Sequence, residues 1–529
     1  MVNTSIFKTF RGNKAPHANC INEAKGTAYA LSARHQLAQL ATTGCLNQTY
    51  YAQGETQLET VMELTKNIDP AFIAKTAIYA RESGYMKDMP ALLACVLAVR
   101  DVQMLSRVFG RIINNGKMLR NFVQIMRSGA AGRKSLGTRP KKLVQHWLLN
   151  ASEKQLLSAA VGNSPSLADI LKMVHPKPTE SWRAAWFAWL LKRDYDVSAL
   201  PPITFALETF KCELMQGHFP SEIPDVPFQM LTALNLTSQQ WATIARNGSW
   251  QMVRQNLNTF ARHGVFNEPG MAELIAAKLR NAHAIAKAHV MPYQLMSAYM
   301  MTATQGDNAV PHMVRDALQD AMEIALGNVP AIEGRVVVCP DISGSMHSPA
   351  TGYRKGATSC VRCIDVAALV AAALVRKNPQ AQVMPFEVKV RQIDLNPRDS
   401  VMTNANKLAN MPGGGTNVSA PLALLNKRNA AVDLVVVVSD NESWMDSRRY
   451  GATQTMNEWQ RIKARCPDAK LVCIDIQPYG TTQAAERTDI MNVGGFSDAV
   501  FESIATFTRD RGNTDHWVNM IECIALNQA

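Results

Sequence analysis

The chain has 529 residues, with 55 Lys and Arg against 43 Asp and Glu, a formal charge of +12. Apolar residues make up 47% and charged residues 19%. This balance excludes disordered and fibrous classes, and at ~100 to 200 residues per domain the length implies two or more domains. The longest uncharged apolar stretch with a helical pattern, Val366 to Val375, is closed off by Asp365 and Arg376 and falls far short of the ~20 residues a membrane span needs. The basic N-terminus has no apolar core of a leader, so a cytoplasmic protein without a membrane partner is expected. Ten cysteines are scattered, several inside apolar runs such as LLAC and LVCID, the usage of reduced, buried thiols. Cys360 and Cys363 have the spacing of half a zinc site but no second pair, which favours buried helix residues over a metal.

From about Ala24 to Ala325 the chain reads as serial amphipathic helices, with apolar residues at i, i+3, i+4 and i+7 and short polar breaks. Examples are LETVMELTKNI, AFIAKTAIYARESG, ALLACVLAVRD, WATIARNG and QMVRQNLNTFARHG, the last read as one helix. No strand alternation is legible there. Such a series predicts stacked helix pairs of the solenoid kind, with an ordinary helical bundle as the alternative.

After Glu333 the pattern changes. RVVVCPD, AQVMPFE, DLVVVVSD and KLVCIDI are short β-branched runs separated by helical stretches, which predicts a parallel sheet covered on both faces, a doubly wound α/β domain. The Gly-containing stretch MNVGGF reads as a turn. The predicted domains are therefore residues 15–333 and 334–529.

Ligands of open parallel sheets gather beyond the carboxyl ends of the strands. Those ends carry Asp341, Ser343 and Ser345 in a D-x-S-x-S loop, Thr416 after three glycines, and Asp440 after the run LVVVV. Two carboxylates with hydroxyls are hard oxygen donors, and the cofactor they predict is a divalent ion, Mg²⁺ or Mn²⁺. His347 beside this loop is read as solvent-exposed and incidental. No P-loop and no G-x-S-x-G elbow is present in the sequence, so no catalytic residues are assigned and the protein is not expected to be an enzyme.

The positive charge is unevenly placed. Residues 336–529 hold 20 Lys and Arg against 19 Asp and Glu, so +11 of the +12 lies in the first 335 residues. Between Val102 and Asn150 there is no acidic residue, whereas Arg107, Arg111, Lys117, Arg120, Arg127, Arg133, Lys134, Arg139, Lys141 and Lys142 all fall there. A solvated face normally mixes signs, and an unneutralised basic run points to contacts with phosphates. Downstream, Ser166 is expected to cap a helix ending in Lys172 and His175 before Pro176. Trp182, Trp186 and Trp189 follow at near-helical spacing, which is more often core than a stacking surface for bases.

Taken together, the D-x-S-x-S loop, Thr416 and Asp440 resemble the metal-ion-dependent adhesion site of a von Willebrand factor A domain. The whole chain resembles the Ro autoantigen family, a TROVE module of helical repeats followed by that domain. The segments that carry this are LNQTYYAQGETQL, DILKMVHPKP, DISGSM, PGGGTN and SDNES. The resemblance implies a ring of HEAT-like helical repeats and a binder of small structured Y RNAs on a basic outer surface. It also implies capture of single-stranded 3′ ends of misfolded RNAs in a cavity, RNA quality control alongside an exoribonuclease, and a monomeric chain. His175 matches the family's histidine on an RNA-contacting surface. Arg127, Arg133, Lys134, Arg139, Lys141, Lys142 and Lys172 join it as candidate RNA contacts. The family has basic residues on the helix before that histidine, where this chain reads QLLSAAVGN, so the Y RNA surface is altered or served by neighbouring Lys and Arg. A different function class, a metal-dependent scaffold whose A domain captures an acidic partner, fits the same metal loop.

Overall fold

The computed structural model describes residues 15–43, 54–288, 290, 292–302, 306, 309–350, 352, 361–445, 451–477, 479–495, 498–509 and 516–526. Cys360 and most of the LNQTYYAQGETQL segment lie outside them. The described residues form two compact units that do not follow chain order. One is drawn from Asp69–Asn281, Thr302–Ala317 and Ile524–Ala529, the other from Met1–Ile68, Ala282–Met301 and Leu318–Cys523.

The first unit is helical. Helix Pro70–Glu82 packs on helices Asp88–Arg100 and Val102–Ile112. Asp88–Arg100 then packs on Gly116–Ser128, Val102–Ile112 on Thr138–Asn150, and Gly116–Ser128 on Glu153–Ala160. This next-but-one pairing is what stacked helix pairs produce, and it gives Asp88–Arg100 a run of buried residues from Met89 to Ala98. The breaks are chemical. Asp101 accepts from the amides of Gln103 and Met104, Asn115 accepts from Met118, and Gly129 ends its helix at φ 87°, a conformation that costs glycine little. The stretch QMVRQNLNTFARHG, expected as one helix, is two, Trp250–Gln255 and Leu257–Arg262, because Asn256 leaves helical geometry and donates its amide to Met252 O at 2.7 Å.

The second unit is α/β. An N-terminal hairpin of β1 (Cys20–Ile21) and β2 (Thr27–Ala30) is followed by helix Ala33–Thr43. The main sheet contains β3 (Val336–Pro340), β4 (Gln382–Val383), β5 (Leu434–Ser439), β6 (Lys470–Asp475) and β8 (Ile490–Gly494), while β7 (Thr481–Thr482) pairs with β2. The main sheet is wholly parallel with order β4-β3-β5-β6-β8. Val337, Cys339, Val435, Val437, Leu471 and Cys473 share one core with Leu422, Leu425, Met456, Trp459 and Ile462 of helices Ala420–Lys427 and Gln454–Arg465. The alternate residues of β3 and β5 face the other way by the period of two, and helix Cys363–Lys377 packs on those strands. Cys363 is buried at the start of that helix.

Two readings of the sequence are corrected here. MNVGGF is not a turn: Ile490, Met491 and Val493 are buried strand residues paired with β6. The region read as all helical contains β2, whose Tyr29 enters the core of the sheet domain. β2 is only four residues long and β8 carries Asn492 and Gly494, so neither shows a clear strand pattern alone and both are held by partners that only the fold supplies. Among the described residues no helix is long and apolar enough to cross a membrane.

Candidate metal centre and cationic cavity

β3 and β5 are neighbours, so the residues that follow them emerge side by side at the carboxyl edge of the sheet. Asp341 is anchored there by its own amide, which donates to Val438 O at 2.8 Å. Its carboxylate is oriented by two donors, the Ser343 amide on Oδ1 at 2.8 Å and the Ser439 hydroxyl on Oδ2 at 2.6 Å. The hydroxyls of Ser343 and Ser345 lie 3.3 Å apart. The third loop comes close enough that a Cβ on Gly413 would sit 2.1 Å from Ile342 O. Glycine is therefore required for Thr416 to reach the site. The five residues singled out in the sequence, Asp341, Ser343, Ser345, Thr416 and Asp440, are all buried at this edge.

Burying carboxylates together has an electrostatic consequence. Loss of water, and then the charge of Asp440, push Asp341 up to about 7. Asp440 is raised by the same loss of water, against the Ser345 hydroxyl that holds it charged. Glu442 is pushed up to about 8 by burial and by Asp440, and Asp475 at the end of β6 is also raised, by burial and by both acids. Acids gathered this way favour a neutralising cation. Among the described residues no group of three or more His, Cys, Asp or Glu is arranged to hold a metal, so the donors on offer are two carboxylates and three hydroxyls. That set suits a hard divalent ion. Asp475 escapes the sequence reading, although a carboxylate closing a β-branched run is the signal that finds Asp440. His347 is exposed, with Nδ1 3.1 Å from the Arg362 guanidinium.

The second site lies in the helical unit. A cavity of about 1050 Å³ is lined by Arg127, Lys134, Lys141 and Lys172, with Asp169 as the acid among its lining residues. It is built by the end of helix Gly116–Ser128, the loop after it, the first turn of helix Thr138–Asn150 and helix Leu167–Val174. Asp169 is held below the usual carboxylate range, first by the Ser166 hydroxyl and amide it accepts from and last by Lys172 and Arg127. It belongs to the capping box of its own helix, so the four cations remain in excess. Among the described residues no aromatic side chain lines the cavity.

The other candidate contacts divide. Arg139, Lys142 and His175 are exposed but do not line the cavity. His175 sits in a left-handed cap at φ 51°, with Gln145 donating to the neighbouring Val174 O at 2.6 Å. Arg133 is turned inward, its guanidinium donating to Ala98 O at 3.2 Å and Leu136 O at 2.8 Å. Arg111 is neutralised by Glu82 through two bonds of 2.8 and 2.7 Å, so the basic stretch is not wholly unpaired as its sequence suggests. Trp186 is fully buried with its indole donating to Thr204, the core reading, while Trp182 and Trp189 are partly exposed.

The family model of the Ro60 vWA domain matches residues 335–508. The chain is 25% identical over 523 residues to the "RNA-binding protein RO60" of Deinococcus radiodurans, covering 92% of this chain and 95% of the relative. The crystal structure of the Deinococcus radiodurans RO (RSR) protein matches with a TM-score of 0.62 at 20% identity, over 90% of this chain and 99% of that one. The structural likeness concerns the fold, helical repeats followed by a parallel-sheet domain. With the Asp341 loop, Thr416 and Asp440 at the sheet edge, residues 335–508 match the Ro60 vWA domain, and the chain as a whole is similar in sequence and fold to the Ro proteins of Deinococcus radiodurans.

Proposed function

We propose that this protein is an RNA-binding scaffold of the Ro type, acting by binding rather than by turnover. The observation that carries this is the cavity in which Arg127, Lys134, Lys141 and Lys172 converge around a single acid. Four cations in a concave site, reached by the first turn of a helix, attract phosphates and release their counterions. Without an aromatic platform the cavity reads backbone rather than bases, so the binding is largely independent of sequence. Exposed Arg139 and Lys142 stand on the helix that carries Lys141, and exposed His175 caps the helix that carries Lys172. Small structured RNAs and the single-stranded 3′ ends of misfolded RNAs are the proposed ligands, and an exoribonuclease is the proposed partner in their processing.

The test is a binding titration of a structured RNA with and without a single-stranded 3′ tail at two salt concentrations. Tail-dependent, salt-sensitive binding that is lost when Lys134, Lys141 and Lys172 are replaced together by Ala supports the reading. Binding no stronger than that of any protein of similar charge sinks it.

A second reading concerns the metal centre. We infer that Asp341, Ser343, Ser345, Thr416 and Asp440 hold a Mg²⁺ or Mn²⁺ ion with a coordination position left for an acidic ligand. The buried pair of carboxylates supports this. Exposed Trp444 and Met445, whose amides both donate to Thr416 O, stand beside the site as apolar neighbours for such a ligand. Mn²⁺ binding by the intact chain, absent in Asp341→Ala, is the corresponding measurement.

A further inference from the structure

The Ro60 vWA match begins at residue 335, yet the loop that carries Asp440 is held from outside it. The Asn22 side-chain amide donates to Ser443 O at 2.9 Å, and the Ala24 amide donates to Glu442 Oε2 at 3.0 Å. Gly26 lies so close that a Cβ there would sit 2.2 Å from Ser443 O. The turn is stiffened from within, since Asn22 Oδ1 accepts the Gly26 amide at 2.6 Å and the Asn22 amide donates to Gly26 O at 2.8 Å. On its far side the hairpin is fastened to the sheet domain by β7 and by Tyr29, which is buried in the core.

Ser443 passes this support on. Its hydroxyl accepts the Val418 amide at 3.1 Å, two residues beyond Thr416. Glu442 belongs to the Asp440 loop itself, its amide donating to Asp440 Oδ1 at 3.3 Å. Two contacts from one hairpin turn therefore reach the Asp440 loop directly and the Thr416 loop through Ser443. Ser443 and Glu442 are buried, so water does not replace a missing partner at little cost.

We propose that the N-terminal hairpin, through Asn22, Ala24 and Gly26, is a positioning element of the metal site, so that hairpin docking and ion binding are thermodynamically linked. This rests on the metal reading above. The physical reason is that a hard divalent ion needs its oxygen donors held at fixed separations, and groups behind the ligands supply that rigidity. Linkage is reciprocal: whatever factor the docked hairpin adds to ion affinity, the bound ion adds to hairpin docking.

The experiment uses the intact chain and Mn²⁺ as the probe. Mn²⁺ affinity is measured by calorimetry for the unaltered protein, Asn22→Ala and Asp341→Ala, and hydrogen exchange of residues 20–30 is followed with and without Mn²⁺. Asn22→Ala touches no ligand, and the expected result is about tenfold weaker Mn²⁺ binding, the scale of losses behind metal ligands. Mn²⁺ is also expected to slow exchange in the hairpin of the unaltered protein and to have no such effect in Asp341→Ala. Should Asn22→Ala unfold, the exchange arm on the unaltered protein still decides. Mn²⁺ binding that leaves hairpin exchange unchanged, or that is equal in a folded Asn22→Ala, overturns the linkage alone. No Mn²⁺ binding by the unaltered protein overturns the metal reading and the linkage with it.

Discussion

The hydroxyl of Ser439, the last residue of β5, donates at 2.6 Å to Oδ2 of Asp341, the first residue beyond β3. One strand thereby orients a carboxylate that belongs to its neighbour. Replacing Ser439 by Ala removes a buried donor from a buried acid, and a loss of ~1 to 3 kcal/mol of stability is expected. Thermal unfolding of the metal-free protein reads it directly.

The raised acids make the metal-free protein sensitive to pH. Asp341 stands at about 7 in the folded protein, above its unfolded value near ~3.9, so between those values the folded state holds more protons. Stability then falls as pH rises through this range and is greatest at its acid end, the reverse of a salt-bridged carboxylate. Added Mg²⁺ or Mn²⁺ is expected to oppose that fall by ~2.7 kcal/mol at one hundred times its dissociation constant. Melting curves across this pH range, with and without the ion, check both signs.

The cations that line the cavity and the inward-turned Arg133 beside them are expected to separate cleanly. Replacing Lys134, Lys141 and Lys172 together by Ala is expected to weaken RNA binding and to lower the salt slope by ~0.7 to 0.9 for each phosphate left unneutralised, with unfolding unchanged. Arg133→Ala is expected to do the opposite, because it strips the donors from Ala98 O and Leu136 O and costs ~1 to 3 kcal/mol. A salt titration and a melting curve on both variants distinguish them.

Trp186 distinguishes core from stacking surface. Its ring is buried and its indole NH bonds Thr204 at 3.0 Å, so Trp186→Phe is expected to lower stability by ~1 to 3 kcal/mol while RNA affinity holds. A selective loss of RNA binding in a protein that melts normally would overturn that assignment.

Asp341→Ala is expected to abolish Mn²⁺ binding and leave RNA affinity within about twofold, since the cationic cavity is built from residues of the other unit and sites that share no partners are usually additive. Calorimetry with Mn²⁺ beside an RNA titration on the same sample provides the check. A large loss of RNA affinity in the folded variant would join the two sites.

Local pattern alone determined much of this protein. The β-branched runs ending in Asp341 and Asp440 carry their own strand signal, because a strand buried on both faces must be continuously apolar. Ser166 caps its helix as its spacing with Asp169 requires. The acid-free stretch contains Arg127, Lys134 and Lys141 of the cavity, and Lys172 lies beyond it. Other features were decided only by tertiary structure. Arg133 and Arg111 look alike in sequence to Lys134, yet one is spent on carbonyls and the other on Glu82. β2 and β8 exist because distant strands complete their hydrogen bonds, and Asn22 meets Ser443 across 421 residues. Side-chain charge and periodicity are properties of a segment. Desolvation and hydrogen-bond pairing belong to whichever groups the folded chain brings together.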